Sequence, residues 1–254
     1  GANLSYANLC GATNPVVKMD WPGGTYYEKR YLTFDFTGTD MSYADFDHAQ
    51  IQYAVLTDAI VKHTNFHDAN LEGVDLSGKD ITGTILTDAN LTYANLAGVN
   101  LSGKDLTGTI LKGADLTDAN LEGVDLSGRD LTGTILKGAD LTGKDLTGTI
   151  LTGADLTDAN LSGVDLTGKD LTWTKLTNAN LENTILTNTN LNCIGNSVCS
   201  DLDLNEMILN GADLTDTNLE GVDLSGRDLT GTILKGADLS GKDLTGTILK
   251  GADL

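Results

Sequence analysis

The three histidines are the side chains best suited to metal binding, and all of them lie between positions 48 and 67. His48 and His67 are 19 residues apart, His63 lies between them, and Asp47 and Asp68 are adjacent to histidines. Two or three imidazoles that converge with carboxylates can bind zinc. The spacing is diffuse, and solvated surface histidines are the alternative that we favour. We therefore predict no metal site.

Catalytic groups are otherwise sparse. Serine and threonine are abundant, but histidine is confined to one region, so no nucleophile and base pair stands out. Glycine strings such as Gly108-Thr109 are part of a repeat and do not join a strand to a helix, as a dinucleotide-binding turn requires. The sequence predicts no enzyme and no cofactor.

Two cysteines, Cys193 and Cys199, enclose a stretch of five residues. They could close a disulfide, which would suit an oxidising compartment. Two free thiols are the alternative, and Cys10 is left over in either case. The sequence does not decide between the two.

The element that must position all of these groups is a five-residue repeat. A large apolar residue occupies every fifth position from Phe36 to Leu191, and after one slip the series resumes from Leu204 to Leu254. A period of five fits neither a helix nor a strand, but it fits a short extended piece followed by a bend. Glycine, aspartate or asparagine follows two residues after the apolar residue, where a bend is expected. A small residue precedes it by two positions and is expected to point inward.

Units such as Ala114–Asp118 and Ala159–Gly163 resemble the A-(D/N)-L-x-x signature of pentapeptide repeat proteins. The resemblance covers roughly nine tenths of the chain. It implies an all-β fold, a right-handed quadrilateral β-helix with four five-residue units per coil. By this count the chain would form about 11 coils.

The repeat divides the chain into five parts. We expect a first partial coil over 1–14, a loop insertion over 15–33, a main β-helix of 32 units over 34–191, a cysteine-containing loop over 192–203 and a further β-helix of 11 units over 204–254. The chain opens in a repeat-like unit and closes at Leu254 in mid-repeat. Because solenoid ends normally carry a cap, we expect the chain to be a piece of a longer protein.

The loop insertion is the first candidate for partner contact. Its candidate contact residues are Trp21, Tyr26, Tyr27, Lys29 and Arg30. Insertions in solenoids often lie on a binding face. The alternative is a loop that folds back and covers the open end of the β-helix.

An acidic stripe is the second candidate, because a coil of four units would stack Asp105, Asp125, Asp145 and Asp165 on one side. It would form a phosphate-like row of charge. The alternative, which we favour, is that Asp or Asn simply belongs before each leucine. Basic residues such as Lys104 occupy the small inward position, and we expect their charged ends to reach solvent.

The formal net charge of −20 opposes direct binding to nucleic acid or to anionic membranes. The chain has no run of apolar residues as long as the roughly 18 that a membrane helix needs, so no membrane insertion is predicted. We therefore expect other proteins as partners, within a larger assembly, and a structural role as a rigid acidic rod that acts as scaffold, spacer or cement. The resemblance implies an alternative: some pentapeptide repeat proteins mimic DNA and modulate a type II topoisomerase. The oligomeric state and the compartment are left open.

Overall fold

The computed structural model describes most of the repeats and parts of the segments around them. The described residues are 4, 7–9, 19–21, 24–26, 34–181, 183–190, 209, 211, 212, 214, 219 and 223–254. The chain divides into two compact units, a first unit of Gly1–Asp115 with Glu122–Val124 and a second unit of Leu116–Leu121 with Asp125–Leu254.

A short hairpin lies in the first unit. Strand β1 (Met19–Trp21) pairs antiparallel with strand β2 (Gly24–Tyr26), and Trp21 is opposite Gly24. The intervening sequence is Pro22-Gly23, which is typical of turns. The sequence predicted a loop over 15–33, and the structure places this hairpin inside it. Trp21 in β1 and Thr25 and Tyr26 in β2 are residue types that favour the extended backbone.

The repeats pair through isolated parallel bridges, and bridge partners within the repeats are separated by four five-residue units in both compact units. Examples are Asp35 with Val55 and Asn70 with Asn90 in the first unit, and Asp140 with Asn160 and Asp228 with Ile248 in the second. This separation means that one coil holds four repeats, as the sequence predicted. The total of about 11 coils stays a prediction.

One bridge near the start of the chain has a different separation. Asn8 pairs with Asp45, which lies much further along the chain than a bridge partner within the repeats does. The Leu4 N–H donates to the Asp40 carbonyl at 2.7 Å, and the Leu9 N–H donates to the Asp45 carbonyl at 2.7 Å. The first repeat-like units therefore pair with a later coil of the first unit, and the segment that contains the hairpin is left out of this register.

The five backbone N–H groups of one repeat have four different roles. We call the large apolar residue of each repeat its central residue. The N–H groups of the central residue and of the residue two positions after it donate to the next coil. The N–H of the residue before it donates to the previous coil, and the N–H of the third residue after it closes a turn. The remaining N–H, one position after the centre, donates to a side chain. In the repeat 70–74 the bonds are Asn70 to Ala49, Leu71 to Asn90, Glu72 to the Asn70 Oδ1, Gly73 to Thr92 and Val74 to Leu71. Every N–H of this repeat thus has a partner, as a stable backbone requires.

The central apolar residues form the core. They are buried in every described repeat from Phe36 to Leu186. Near the start the core is aromatic: the Phe46 ring packs on Phe36 and Phe66, with ring centroids 5.6 Å and 5.4 Å apart. The small residue two positions earlier also points inward, as the sequence predicted.

Threonine at this inward position is buried together with its hydroxyl. Thr64, Thr149 and Thr232 each donate from Oγ1 to the carbonyl of a central residue 23 positions earlier, at 2.9 Å. This bond satisfies a group whose burial would otherwise be costly. It explains how threonine can replace alanine or valine in the core.

Candidate interaction surface

The carboxylates of the acidic stripe have a structural role in their own repeats. Asp105 lies in the first unit and the other three lie in the second. Each accepts, at Oδ1, the N–H two residues later: from Thr107 at 2.9 Å, Ser127 at 2.9 Å, Thr147 at 2.8 Å and Thr167 at 2.8 Å. The bond therefore accounts for Asp or Asn before each leucine without a ligand.

These hydrogen bonds also keep the carboxylates ionised. The Thr147 hydroxyl and then its N–H hold the pKa of Asp145 below its ordinary value, although burial and the charge of Asp125 oppose the shift. Ser127 and Thr167 lower the pKa of Asp125 and Asp165 in the same way. Asp125, Asp145 and Asp165 are thus anionic at neutral pH, because each of these carboxylates is stabilised locally more than it is repelled.

Lysines accompany the acidic stripe in the second unit. An open groove of about 460 Å³ contains Asp145 and Asp165 together with Lys144 and Lys169. The charge of Lys169 lowers the pKa of both carboxyls. The groove therefore presents both signs of charge.

The basic residues at the inward position do not extend fully into solvent, which corrects the expectation from the sequence. Lys79, Lys104 and Lys144 are half-buried, and each ammonium donates to a backbone carbonyl of an earlier repeat: Ala59, Thr84 and Leu121 respectively. Burial lowers the pKa of the Lys104 ammonium, and the charge of Asp80 opposes this. The side chains fold back because the carbonyls lie within reach of the corner.

The histidines separate into two groups. The rings of His48 and His67 meet edge to face with centroids 5.9 Å apart, as two residues 19 apart can in a coil of four five-residue units. His48 lies between two carboxylates, with Nδ1 2.9 Å from Asp47 Oδ1 and Nε2 3.2 Å from Asp68 Oδ2. His63 instead stacks on Tyr43, with centroids 4.6 Å apart. Among the described residues no group of His, Cys, Asp and Glu is arranged to hold a metal ion.

Several candidates from the sequence lie where no side-chain geometry is described. Trp21 and Tyr26 belong to β1 and β2, whose backbone alone is described. Tyr27, Lys29 and Arg30 lie outside the described residues, and so do Cys193 and Cys199. Partner contact by the loop and the state of the two cysteines stay predictions.

Exposed aromatic residues in left-handed backbone conformation were missed by the sequence analysis. Tyr43, Tyr53, Tyr93 and Trp173 have φ between 57° and 64°, and each is 46–63 % exposed. Bulky residues rarely adopt this conformation, which costs roughly 1–2 kcal/mol. Most repeats have Gly, Asp or Asn at this corner position. An alignment of the repeats would have revealed these four residues, together with His48 and His63 at the same position.

Two of these tyrosines rest on glycines of the next coil. A Cβ at Gly73 would overlap the Tyr53 ring, and a Cβ at Gly113 would overlap the Tyr93 ring in the same way. Tyr53 also donates from Oη to Glu72 Oε1 at 2.6 Å. The glycines therefore provide the flat surface on which the rings lie.

Outward isoleucines are the other apolar surface groups. Ile85, Ile110 and Ile150 occupy the position of the Asp or Asn acceptor and are 46–48 % exposed. Within the described residues no protein acceptor reaches the N–H two positions after any of them, in Thr87, Lys112 and Thr152. Each isoleucine thus exposes apolar surface and gives up a hydrogen bond.

The described part of the chain contains no helix long and apolar enough to span a membrane.

Parallel pairing at every fourth repeat and a ladder of buried leucines define a repeat solenoid. The chain belongs to the pentapeptide repeat family. The sequence model of pentapeptide repeats matches it over residues 49–88, 64–103, 89–128, 130–168, 170–193, 197–236 and 228–254. The fold is accordingly a right-handed β-helix, and proteins of this family are generally non-enzymatic structural modules.

Solved structures of pentapeptide repeat proteins are similar to this chain. HetL, involved in heterocyst differentiation regulation in the cyanobacterium Nostoc sp. strain PCC 7120, is 29 % identical over 100 % of this chain and 87 % of its own, with a TM-score of 0.27. Rfr23 from the cyanobacterium Cyanothece 51142 is 25 % identical over 58 % of this chain and 86 % of its own, with a TM-score of 0.31.

A third similar structure is trypsin-treated QnrB1, a plasmid-mediated fluoroquinolone resistance protein. It is 19 % identical over 87 % of this chain and 90 % of its own, with a TM-score of 0.25. The search of curated proteins found no match.

Proposed function

We propose that this protein is a non-catalytic protein-interaction module that serves as a rigid acidic scaffold, spacer or cement in a larger assembly. The observation that carries the proposal is the set of outward isoleucines. At Ile85, Ile110 and Ile150 the repeat gives up a side-chain acceptor and exposes an apolar group instead. A partner that buries the isoleucine and also offers an acceptor to the N–H two positions later would compensate for both losses.

Charge restricts the kind of partner. The formal net charge is −20, and the pKa values of many repeat aspartates are lowered by hydrogen bonds from neighbouring Ser or Thr. An anionic surface repels phosphate backbones and anionic lipids, and it attracts basic protein surfaces. Protein partners therefore fit this surface, and direct nucleic-acid binding does not.

The test uses the intact chain as bait in an extract of its source, with mass spectrometry to identify the captured proteins. A supercoiling assay with a type II topoisomerase accompanies it. We expect co-isolation with components of one assembly and no effect on supercoiling. Capture of no protein above a bait-free control would contradict the proposed role.

A second candidate function is modulation of a type II topoisomerase by DNA mimicry. The observation that favours it is the row of ionised carboxylates at Asp125, Asp145 and Asp165 in the second unit. Lys144 and Lys169, in the groove beside Asp145 and Asp165, weaken the likeness to a phosphate row. Tight binding and inhibition of the topoisomerase at sub-micromolar concentration would favour this function over the scaffold.

A further inference from the structure

Four positions of the first unit form a continuous corner, which we call the aromatic stripe: Tyr53, Gly73, Tyr93 and Gly113. The N–H groups of Tyr53, Gly73 and Tyr93 donate to the carbonyls of Glu72, Thr92 and Lys112 in the next coil, at 2.7, 2.9 and 3.1 Å. These bonds place the four residues at the same corner of successive coils. The two tyrosines are two coils apart, which corresponds to about 10 Å at the usual spacing of paired strands.

Both tyrosines present their rings in the same way. Each ring lies along the glycine of the following coil, and a Cβ on that glycine would overlap it. Tyr93 is 63 % exposed and Tyr53 is 46 % exposed. The rings are thus held by the backbone beneath them and remain accessible to another molecule.

The conformation of these tyrosines is costly. Tyr53 has a φ of 58° and Tyr93 a φ of 57°, whereas glycine takes the corner position in the intervening coil. Strained backbone at non-glycine residues concentrates at functional sites. Backbone conformation alone would favour glycine or asparagine at both positions, so each tyrosine carries a conformational cost.

The charges along the stripe are mainly negative. Glu72 accepts a hydrogen bond from the Tyr53 hydroxyl, and Asp75 and Asp115 each follow a stripe glycine by two residues. Lys112 is the one cation in this group of flanking residues, and the chain as a whole carries −20. A ligand of this surface must therefore combine positive charge with a group that stacks on an aromatic ring.

We infer that the aromatic stripe binds an extended, arginine-containing segment of a partner protein, with guanidinium groups stacked on Tyr53 and Tyr93. Guanidinium stacks on aromatic faces and pairs with carboxylates, and it is less strongly hydrated than an ammonium group. In the extended polyproline II conformation, residues three apart lie on the same side of the chain and about 9 Å apart, which is close to the separation of the two rings. Arginine at every third position is thus the favoured pattern. This inference rests on the proposed protein-interaction role and specifies a partner chemistry for it.

The test measures binding of the intact chain to a fluorescein-labelled peptide of four Arg-Gly-Gly repeats by fluorescence anisotropy. The salt concentration is about 150 mM, where distant charges are largely screened. The test variant is Tyr53→Asn with Tyr93→Asn, because Asn178, Asn183 and Asn188 already take the left-handed conformation in this chain. The matched control is Tyr43→Asn. It removes an exposed tyrosine of the same conformation in the same unit, but Tyr43 stacks on His63 at another corner.

We expect the double variant to bind the arginine peptide about tenfold more weakly than the unmodified chain, and Tyr43→Asn to change affinity by less than about twofold. A peptide with lysine in place of arginine should bind the unmodified chain several-fold more weakly. Equal affinities of the double variant and the unmodified chain would overturn the inference. Equal binding of the arginine and lysine peptides would also overturn it, because it would indicate diffuse charge attraction. The inference fails as well if the arginine peptide does not bind the unmodified chain.

A second variant keeps both tyrosines in place. Glu72→Gln retains an acceptor for the Tyr53 hydroxyl and removes one negative charge, so we expect about a twofold to threefold weakening that disappears at high salt. An unchanged affinity at both salt concentrations would count against the stripe. One outcome is that the intact chain captures partner proteins from the extract while the arginine peptide binds the double variant as tightly as the unmodified chain. In that case the inference fails and the proposed interaction role stands. If the bait captures none, the role itself fails.

Discussion

At the scale of single residues, the position before each leucine is defined by a hydrogen bond. Asn90 shows the pattern: its Oδ1 accepts the Thr92 N–H at 3.0 Å and the Thr92 hydroxyl at 2.6 Å. An Asp or Asn side chain is short enough to reach an N–H two residues ahead. Isoleucine at the same position cannot accept a hydrogen bond, so its presence needs another reason.

Ile150→Asn should stabilise the chain. The new Oδ1 can accept the Thr152 N–H, and the new amide can donate to Asp130 in the preceding coil, as Asn190 does to Asp170 at 3.3 Å. We expect a gain of about 1 kcal/mol in the free energy of unfolding, measured as a higher urea midpoint.

Ile150→Val is the matched control, because valine shortens the apolar side chain and adds no acceptor. It should leave the midpoint nearly unchanged. If the asparagine variant is no more stable than the valine variant, the side-chain acceptor does not have the role that we assign to it.

Asp80 should make stability sensitive to acid. The Lys62 ammonium, 2.6 Å from Asp80 Oδ2, holds the pKa of Asp80 far below its ordinary value, and the Thr82 hydroxyl and N–H act in the same direction. The folded state therefore releases this proton more readily than the unfolded state. Its contribution to stability is present above the unfolded pKa of about 4 and is lost as the pH falls towards the folded pKa.

Asp80→Asn removes the titrating group and keeps an acceptor for the Thr82 N–H. The variant should be less stable than the unmodified chain near neutral pH, and its urea midpoint should fall less between about pH 4 and pH 2.5. Parallel declines of the two proteins over this range would rule out Asp80 as a contributor.

At the scale of the structural element, the corner of each repeat requires a left-handed residue. Glycine adopts this conformation without steric cost, and it also leaves room for a neighbour. Gly98 and Gly113 have similar φ values, 65° and 67°, but only Gly113 lies under a tyrosine ring; a Cβ on Gly98 would meet nothing within 4 Å. Substitution of Gly98 therefore tests backbone strain alone, and substitution of Gly113 tests backbone strain together with the contact between coils.

Gly98→Ala should cost about 1 kcal/mol in the free energy of unfolding, because alanine resists the left-handed conformation. Gly113→Ala should cost roughly 1 kcal/mol more, because the Tyr93 ring must move away from the new methyl group. Urea unfolding of the two variants measures the difference.

The additional cost should disappear when Tyr93→Gly is combined with Gly113→Ala, since no side chain then lies over the new methyl group. Gly153 shows this arrangement: it follows Gly133 by one coil, and a Cβ on it would meet only backbone, at 3.9 Å. An equal cost for Gly98→Ala and Gly113→Ala would show that the ring does not rest on the glycine in solution.

At the scale of the whole molecule, the chain has a structural period of four five-residue units and a sequence period of five such units. Bridges join positions four units apart, whereas Lys79, Lys104 and Arg129 recur at every fifth unit. Each copy of the longer sequence repeat is therefore shifted by one five-residue unit relative to the coil. Surface charges are distributed over several sides in consequence, while the core receives a leucine in every unit.

A deletion of one coil should preserve the second unit. Removal of residues 141–160 joins Asp140 to Leu161 and keeps both the five-residue phase and the register of the bridges. Because each coil contacts only its neighbours, we expect a folded protein with a modestly lower urea midpoint.

Removal of residues 141–158 is the control. It shortens the chain by almost the same length but breaks the phase, so leucines leave the core and cooperative unfolding should be lost. Circular dichroism during urea unfolding measures the stability of both deletion variants. Equal stability of the two would contradict the register of four units per coil.

Much of this architecture follows from the sequence alone. The unbroken series from Phe36 to Leu191 predicts the buried ladder, because a period of five can return to a common core only in a coil. The inward position of Thr84 and Thr109 could also be predicted from the repeat, and both are buried. The approach of His48 to His67 follows from a coil of four units in the same way.

Other features were decided by the tertiary structure. The fold of Lys104 back onto the Thr84 carbonyl, and the ring of Tyr93 on Gly113, depend on contacts between one coil and the next. The same applies to the hydroxyl bonds of buried threonine, such as that of Thr149 to Leu126. Periodicity specifies which residues face the core, because burial depends only on phase. The direction of a long side chain at a corner depends on which atoms the neighbouring coil presents there, and pairing of the coils is what brings those atoms into reach.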